Sequence, residues 1–478
     1  MGAGASTELT KEQLKEKYEE VKHRLYPCQQ KDLEEKFEAS DNVAEILECV
    51  NTHLNNPEVV SASYETVPAF TDMHKSLMSK VLTAELFETL KAAGPTAKGY
   101  CISRAIQTGV MTPHLGVGCT AGDEESWEKF AALYNPVIKG WHGFDPETQS
   151  HKSDLDFNKL NMTEEQVAMF DKFVVSTRIR AARNLSGFAL PAGTDDADRK
   201  SVREALCRAF DKFEGELAGK FYDLANLSDE DRDMLLAEGY LFQIPKTTNL
   251  LWHAGAAKSW PNDRGIFHNE AKTALCWVNE EDHCRIISME KGGNVKSVFT
   301  RFSGISEALK TSAEADGSKF MFSDKLGFLG TCPSNLGTGL RASVMIKLPK
   351  FNESEESRVL LDEVCSKFDL QPRGSSGEHS AAIEDKFDVS NKQRIGFTEV
   401  ELVQKMIDGV TKVINYETAL AAGETTLEAI RAELSGEAAA APEAAAEAAP
   451  EEAPKVEEAA AEAATEAPAE AAPVEAAA

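Results

Sequence analysis

The sequence predicts an α+β protein, with a small all-helical domain over about residues 61–150 and a larger domain of sheet and helices over about 165–430. Three observations predict it. Few β-branched runs occur before residue 170. From residue 172 strand-like runs rich in β-branched and aromatic residues appear: "KFVVSTRIR", "KTALCWVNE", "CRIISME" and "RASVMIKLP". Helical stretches lie between and after them, "ADRKSVREALCRAFDKFEG" and "TEVELVQKMIDGVTKVINYETAL".

Residues 1–60 read as an extension. It opens on "MGAGAS", which places Gly2 and Ser6 where N-myristoylation needs them once Met1 is removed. A flexible start rich in small residues is the plainer alternative. One acyl chain anchors only marginally, and Lys11, Lys15 and Lys17 are interleaved with glutamates, so a basic second signal is weak. The expected location is cytoplasmic, with membrane tethering through Gly2 possible, for instance at a flagellar membrane. Leu14, Tyr18, Val21 and Leu25 then recur at helical intervals until "NNPEVV" breaks the pattern. The next expected helix is one amphipathic run over 70–92, ending before Gly94 and Pro95, and another is "GDEESWEKFAALYNPVI", with acids in its first turn. After Gly436 almost only Ala, Glu and Pro follow. Residues 436–478 lack large apolar side chains, cannot bury a core, and read as a disordered acidic tail.

The totals narrow the function. No run approaches the ~18 apolar residues of a spanning helix, and no leader suggests secretion. Nine scattered cysteines, odd in number and without a C-x-x-C pair, argue against a disulfide framework and against zinc. The net charge of −28, about ten units of it after Gly436, disfavours nucleic acid as a partner. An anionic ligand then needs a local basic pocket, which makes clustered arginines informative.

Arg178 and Arg180 in "STRIR" are two apart on a strand and share a face. With Arg285, Arg341 and Arg373 they make five arginines near strand ends or Gly/Ser-rich turns, suited to phosphate oxygens. Surface salt bridges are the plainer reading of any one of them. "NEEDH", residues 279–283, is either a solvated hairpin tip or a set of carboxylates supplying a base beside a metal-bound nucleotide. "RGSSGEHS", 373–380, is either a connector or a loop that closes over a ligand. In "GFLGTCPSNLGTGLRASV" Cys332 has three readings: a small core residue, a covalent nucleophile, or a thiolate held by Ser334 that pairs with a cationic substrate. Composition leaves all three open.

Over about residues 68–425 these segments resemble the phosphagen (guanidino) kinases, the family of arginine kinase and creatine kinase. The resemblance rests on "CPSNLGT", "VNEEDHCRIISMEKGGN", "VVSTRIRAARNLSGF", "WPNDRGIFHNEAKT" and "DVSNKQRIGFTE", in that family's own arrangement. It implies a helical N-terminal domain, a catalytic domain with an antiparallel sheet flanked by helices, and reversible transfer of the ATP γ-phosphoryl to a guanidino nitrogen with Mg²⁺. By motif it implies nucleotide contacts from Ser176, Thr177, Arg178, Ile179 and Arg180, from Arg285, from Arg341, Ala342, Ser343, Val344 and Met345, from the loop Arg373, Gly374, Ser375, Ser376, Gly377 and Glu378, and from Asp388. Glu281 and Glu378 grip the guanidinium and serve as base, Cys332 orients it, and His379 belongs to the closing loop. Glu280 and Asp282 organise the magnesium waters. Gly239 and Met345 depart from the family, which often has histidines on the adenine side there.

The resemblance places substrate specificity in "TGVMTPHLGVGCTAGDEESW", with Gly116, Val117, Gly118, Cys119 and Thr120 at the guanidino substrate. Its "VGCTAGDEES" looks like creatine kinase. Its shortness looks like arginine kinase and leaves room for a larger substrate. Leu115 and Thr120 stand where arginine kinases usually have Ser and Tyr, and Trp141 is at a position often aromatic in them. The expectation is arginine, then taurocyamine or creatine. A scaffold that lost catalysis and a kinase of protein arginines are the competing readings. Whether the chain is a monomer or a dimer is open.

Overall fold

The structure is a computed structural model and describes residues 10–22, 27–55, 63–242, 245, 250–374 and 385–436. Gly2, the loop residues Ser375, Ser376, Gly377, Glu378 and His379, and the tail beyond Gly436 lie outside the described residues. No described helix is long and apolar enough to cross a membrane.

The catalytic part is built on ten strands: β1 Val174–Arg183, β2 Gly219–Asp223, β3 Gly265–Asn269, β4 Ala274–Val278, β5 Cys284–Lys291, β6 Phe322–Ser323, β7 Gly327–Phe328, β8 Leu340–Lys347, β9 Leu370–Gly374 and β10 Lys386–Asn391. Eight form one sheet in the order β2-β3-β4-β5-β1-β8-β10-β9, antiparallel throughout; β6 and β7 pair separately. The sheet alternates as pleated strands must. Ile179, Ala181, Ile286, Ala342, Val344 and Ile346 face a core closed by four helices, Asp196–Phe210, Val295–Ala315, Glu355–Ser366 and Glu399–Ala422.

Among the described residues the opposite face is covered on one half only. Tyr222, Ile266, Leu275 and Ile287 on the β2–β5 half pack under Leu235, Tyr240 and Phe242 of the segment that follows β2. Among the described residues the half formed by β1, β8, β10 and β9 has no such apolar cover, and there the alternate side chains are polar apart from Met345. A shift of one residue in register would exchange the two faces, so the apolar pattern of β1 and β8 also fixes where the arginines point.

The helical domain packs around Met78, Phe87, Tyr100, Ile106, Trp127, Tyr134 and Val137, and its core includes Leu329, Leu336 and Ile395 from the catalytic part. The single helix expected over 70–92 is two helices, Leu77–Val81 and Ala84–Ala92. Ser76 Oγ accepts from Ser79 N at 3.1 Å and Thr83 Oγ1 from Leu86 N at 3.1 Å, so each starts its own N-terminus and Leu82 between them is extended. The second expected helix likewise breaks at Phe130, into Ser126–Lys129 and Ala131–His142. The extension forms three short helices, Lys11–Val21, Pro27–Ala39 and Val43–Asn55, around a core of their own: Leu14, Tyr18, Leu33, Phe37, Ile46 and Val50.

Two buried histidines fasten the joints of the larger domain. His283 Nδ1 accepts from Leu185 N at 3.0 Å while Nε2 donates to the Ala189 carbonyl at 2.8 Å; His151 Nδ1 accepts from Gly396 N at 3.2 Å. Burial lowers both to about 4. Below the usual histidine pKa the unfolded chain therefore binds protons that the folded chain excludes. Stability should be fully present above about pH 6.5 and fall as pH drops toward 4, by up to ~1.4 kcal/mol per pH unit for each group. Urea unfolding at pH 7, 6 and 5 checks this; a His283→Gln variant whose pH slope equals that of the parent would refute the part given to His283.

Candidate active site

Ser176, Arg178 and Arg180 share the uncovered face of β1, half-buried, while Thr177, Ile179 and Ala181 turn into the core. The register carries the pattern across the sheet. Arg180 stands opposite Arg341 of β8, Arg178 opposite Ser343, and Ser176 opposite Met345. Met345 faces Asp388 of β10, and Asp388 faces Arg373 of β9. On the other side Ala182 faces Arg285 of β5. All five predicted arginines thus lie on one face, spread over four strands. Thr177, Ile179, Ala342 and Val344 do not join them: their side chains are in the core, and Thr177 Oγ1 is bonded to the Gly292 carbonyl at 2.9 Å. Any nucleotide contact from these four is through backbone.

Carboxylates hold this cationic face in place. Arg341 Nη2 pairs with Asp388 Oδ2 at 2.8 Å. Arg285 pairs with Glu281 and, at 3.4 Å, with Glu280 Oε2. Burial works against the Arg285 charge, yet Glu280, Glu281 and Asp282 together outweigh it and raise its pKa above the usual value.

"NEEDH" is the turn between β4 and β5, and it is not a solvated tip: Glu280 is 7% exposed, Asp282 3% and His283 2%. Asn279, at φ 56°, turns the chain and donates Nδ2 to the carbonyls of Arg199 (2.9 Å) and Asp263 (2.8 Å). Asp282 Oδ1 accepts from Asn184 Nδ2 at 2.8 Å and from Thr331 N at 3.3 Å, and Thr331 Oγ1 donates to the Glu281 carbonyl at 3.0 Å. Those bonds lash the carboxylate turn to the loop bearing Cys332. Burial raises the Asp282 carboxyl.

Cys332 Sγ lies 3.1 Å from Ser334 Oγ. A thiol lowered by that hydroxyl is what the sequence suggests. The net direction is the reverse: burial pushes the thiol up, the Ser334 hydroxyl and amide pull it down by less, and Glu281 raises it further. Among the described residues Arg394 is the cation that favours the thiolate, and burial together with Glu281 outweighs it; a substrate guanidinium would add a second positive charge.

A cleft of about 880 Å³ opens between the helical domain and the β8–β10–β9 end of the sheet, lined by Lys75, Gly116, Trp141, His142, Ser334, Arg341, Arg373 and Gly374 among others. Arg178, Arg180, Arg285, Glu281 and Cys332 lie outside its lining. The expected substrate loop is mostly withdrawn from it. Val117, Gly118, Cys119 and Thr120 are buried; Thr120 O accepts from Tyr134 Oη at 2.7 Å, and Tyr100 Oη is 3.0 Å from Thr120 Oγ1. Only Gly116 of that set reaches the cleft, because the rest of the loop completes the helical core.

Comparison with known proteins decides the family. Residues 201–420 match the ATP:guanido phosphotransferase C-terminal catalytic domain and residues 72–139 its N-terminal domain. The chain is 40% identical over 377 residues to creatine kinase B-type of Gallus gallus, covering 78% of this chain and 97% of that one. It belongs to the ATP:guanido phosphotransferases. Lombricine kinase is similar in structure at a TM-score of 0.70 and 37% identity, covering 76% of this chain and 97% of that chain. A duplicated taurocyamine kinase from Schistosoma mansoni is similar at 0.66 and 33%, covering 77% and 49%. This phosphagen kinase is therefore a phosphotransferase with a guanidino acceptor, in a family that binds ATP or ADP and a guanidino substrate.

Sequence reasoning overlooked four residues that brace the candidate site: Asn184 and Thr331, which tie the Glu281 turn to the Cys332 loop, and His142 and Arg394, which bond the turn Pro333–Asn335. Asn184 and Arg394 sit inside quoted motif blocks, "VVSTRIRAARNLSGF" and "DVSNKQRIGFTE", and that membership was the available signal.

Proposed function

We propose that this kinase phosphorylates free L-arginine with ATP, reversibly, and so buffers ATP. The observation that carries the choice of arginine is the withdrawn loop: Val117–Thr120 pack inward, leaving the space beside Trp141 and Gly116 to the substrate rather than to protein. A pocket left larger favours the larger guanidine. Lys75 and Lys80 line the same cleft and suit a substrate carboxylate.

The geometry supports the following roles. Arg178, Arg180, Arg285, Arg341 and Arg373, on one face, take the nucleotide phosphates and the charge that develops on the transferring group. Glu281, braced by Arg285 and by the Thr331 bond to its own carbonyl, fixes the plane of the guanidinium from one side and accepts its proton; Cys332 holds it from another. Positioning of this kind is the main contribution a protein can make to phosphoryl transfer. Glu280 and Asp282, buried beside Arg285, fit the waters of a magnesium ion carried on the phosphates, where the ion would neutralise phosphate charge.

The test is turnover on arginine, taurocyamine, lombricine, creatine and an arginine-containing protein under one set of conditions. Arginine is expected to give the highest kcat/KM. Preference for creatine or taurocyamine would overturn the substrate, and activity on none of the small guanidines would overturn the function.

A further inference from the structure

The turn that carries Cys332 is held from outside itself. Pro333–Asn335 form a single 3₁₀ turn with Cys332 at its N-cap, too short to hold its own shape. Arg394, in the segment after β10, donates Nη1 to the Ser334 carbonyl at 3.2 Å and to the Asn335 side-chain oxygen. The Arg394 carbonyl in turn accepts from Thr338 N at 2.8 Å and from Thr338 Oγ1 at 3.0 Å. Between them Gly337, at φ 81°, lies so close that a Cβ there would meet the Arg394 carbonyl oxygen at 2.3 Å. From the other side His142, the last residue of helix Ala131–His142, donates Nε2–H to the Pro333 carbonyl at 2.9 Å. Burial lowers that histidine to about 4, so at neutral pH it is an uncharged donor.

We propose that Arg394 and His142 are positioning residues for Cys332, Arg394 placing the turn and a positive charge beside the sulfur, His142 coupling the turn to the helix that bears Trp141. The groups that act on the sulfur come from every neighbouring element. The Ser334 hydroxyl and amide favour the thiolate; Glu281 from the β4–β5 turn opposes it; the buried thiol of Cys119 is the neighbour from the helical domain; Arg394 is the cation that favours it. Burial is the largest effect and opposes ionisation. Removing Arg394 leaves that opposition less balanced. Removing His142 alters position without removing a charge.

The kinetic consequence rests on the reading that Cys332 faces the guanidinium, but the first measurement does not. Alkylation of Cys332 in the full chain by iodoacetamide, followed on its peptide by mass spectrometry from pH 6 to 10, reports the thiolate directly. Arg394→Gln should shift the profile to higher pH and slow the reaction on its rising limb. Arg394→Lys should recover most of it. His142→Ala should leave the profile in place and raise KM for the guanidino substrate more than KM for ATP. An Arg394→Gln protein that keeps the parental profile, even with a lowered thermal midpoint, would reduce Arg394 to a structural role and overturn the proposal. A shifted profile in a protein whose parent phosphorylates no small guanidine would leave the clamp standing and the substrate reading overturned.

Discussion

Replacing Arg180 by alanine is expected to lower kcat by about 10³-fold, with a thermal midpoint close to that of the parent. Arg180 sits mid-strand on β1, opposite Arg341 and on the face that has no apolar cover among the described residues. Its neighbour on β5, Ile287, belongs to the apolar sheet surface under the cover of the other half, so Arg180 lies at the boundary where the sheet face turns from apolar to cationic. On the proposed role its guanidinium meets charge that grows during transfer, and a loss confined to the transition state appears in kcat more than in KM. Arg180→Lys should recover only part of the rate, because an ammonium cannot make the two parallel bonds of a guanidinium. Steady-state kinetics in both directions would show it. A kcat for Arg180→Ala within threefold of the parent would remove Arg180 from the phosphate site.

How much of this could be read from the chain depends on the distance over which each fact is set. The face of Arg178 and Arg180 was legible because strand alternation is local: two arginines two apart in "STRIR" share a face without reference to anything else. That Arg341 and Arg285 meet them was not, since β1 pairs with β5 and β8 across more than a hundred residues and no local signal sets that register. The caps at Ser76 and Thr83 were available in the sequence, but the amphipathic pattern runs on through them and outweighed them. β9 and β10 at the sheet edge are short and carry Pro372, Lys386 and Asp388, so they lack the β-branched texture that revealed the central strands. Val117–Thr120 were placed at the substrate by motif; their burial follows from Tyr100 and Tyr134, which reach Thr120 across the helical core. Cys332 with Ser334 was legible as a pair. The direction of its pKa was not, because burial is a property of the packed loop.

The largest expected effect on stability belongs to Arg183→Met. Arg183 ends β1 and its side chain, like that of Glu399, is 0% exposed. Their ion pair is long, 3.4 Å, but each partner has further contacts. Arg183 Nη1 donates to the carbonyls of Ala182 (2.7 Å) and Thr338 (2.8 Å), and the guanidinium lies 3.5 Å over the ring of Phe328. Glu399 accepts from Ser153 Oγ at 3.0 Å and from Asp154 N at 2.9 Å, and it opens helix Glu399–Ala422, where the helix dipole favours a negative charge. Burial nevertheless raises the Glu399 carboxyl and lowers Arg183 to about 10, so each charge depends on the other. Arg183→Met leaves Glu399 buried with no cation and should cost about 3–5 kcal/mol. Replacing both, Arg183→Met with Glu399→Leu, should regain much of that loss, because the burial penalty of both charges disappears with them. Urea unfolding of the two single variants and the double variant gives the coupling between the sites. A double variant no more stable than Arg183→Met alone would show that Arg183 acts through Thr338 and Phe328 and not through Glu399. Because Thr338 belongs to the loop of Cys332, activity in the double variant would then separate the support of that loop from the stability of the helix.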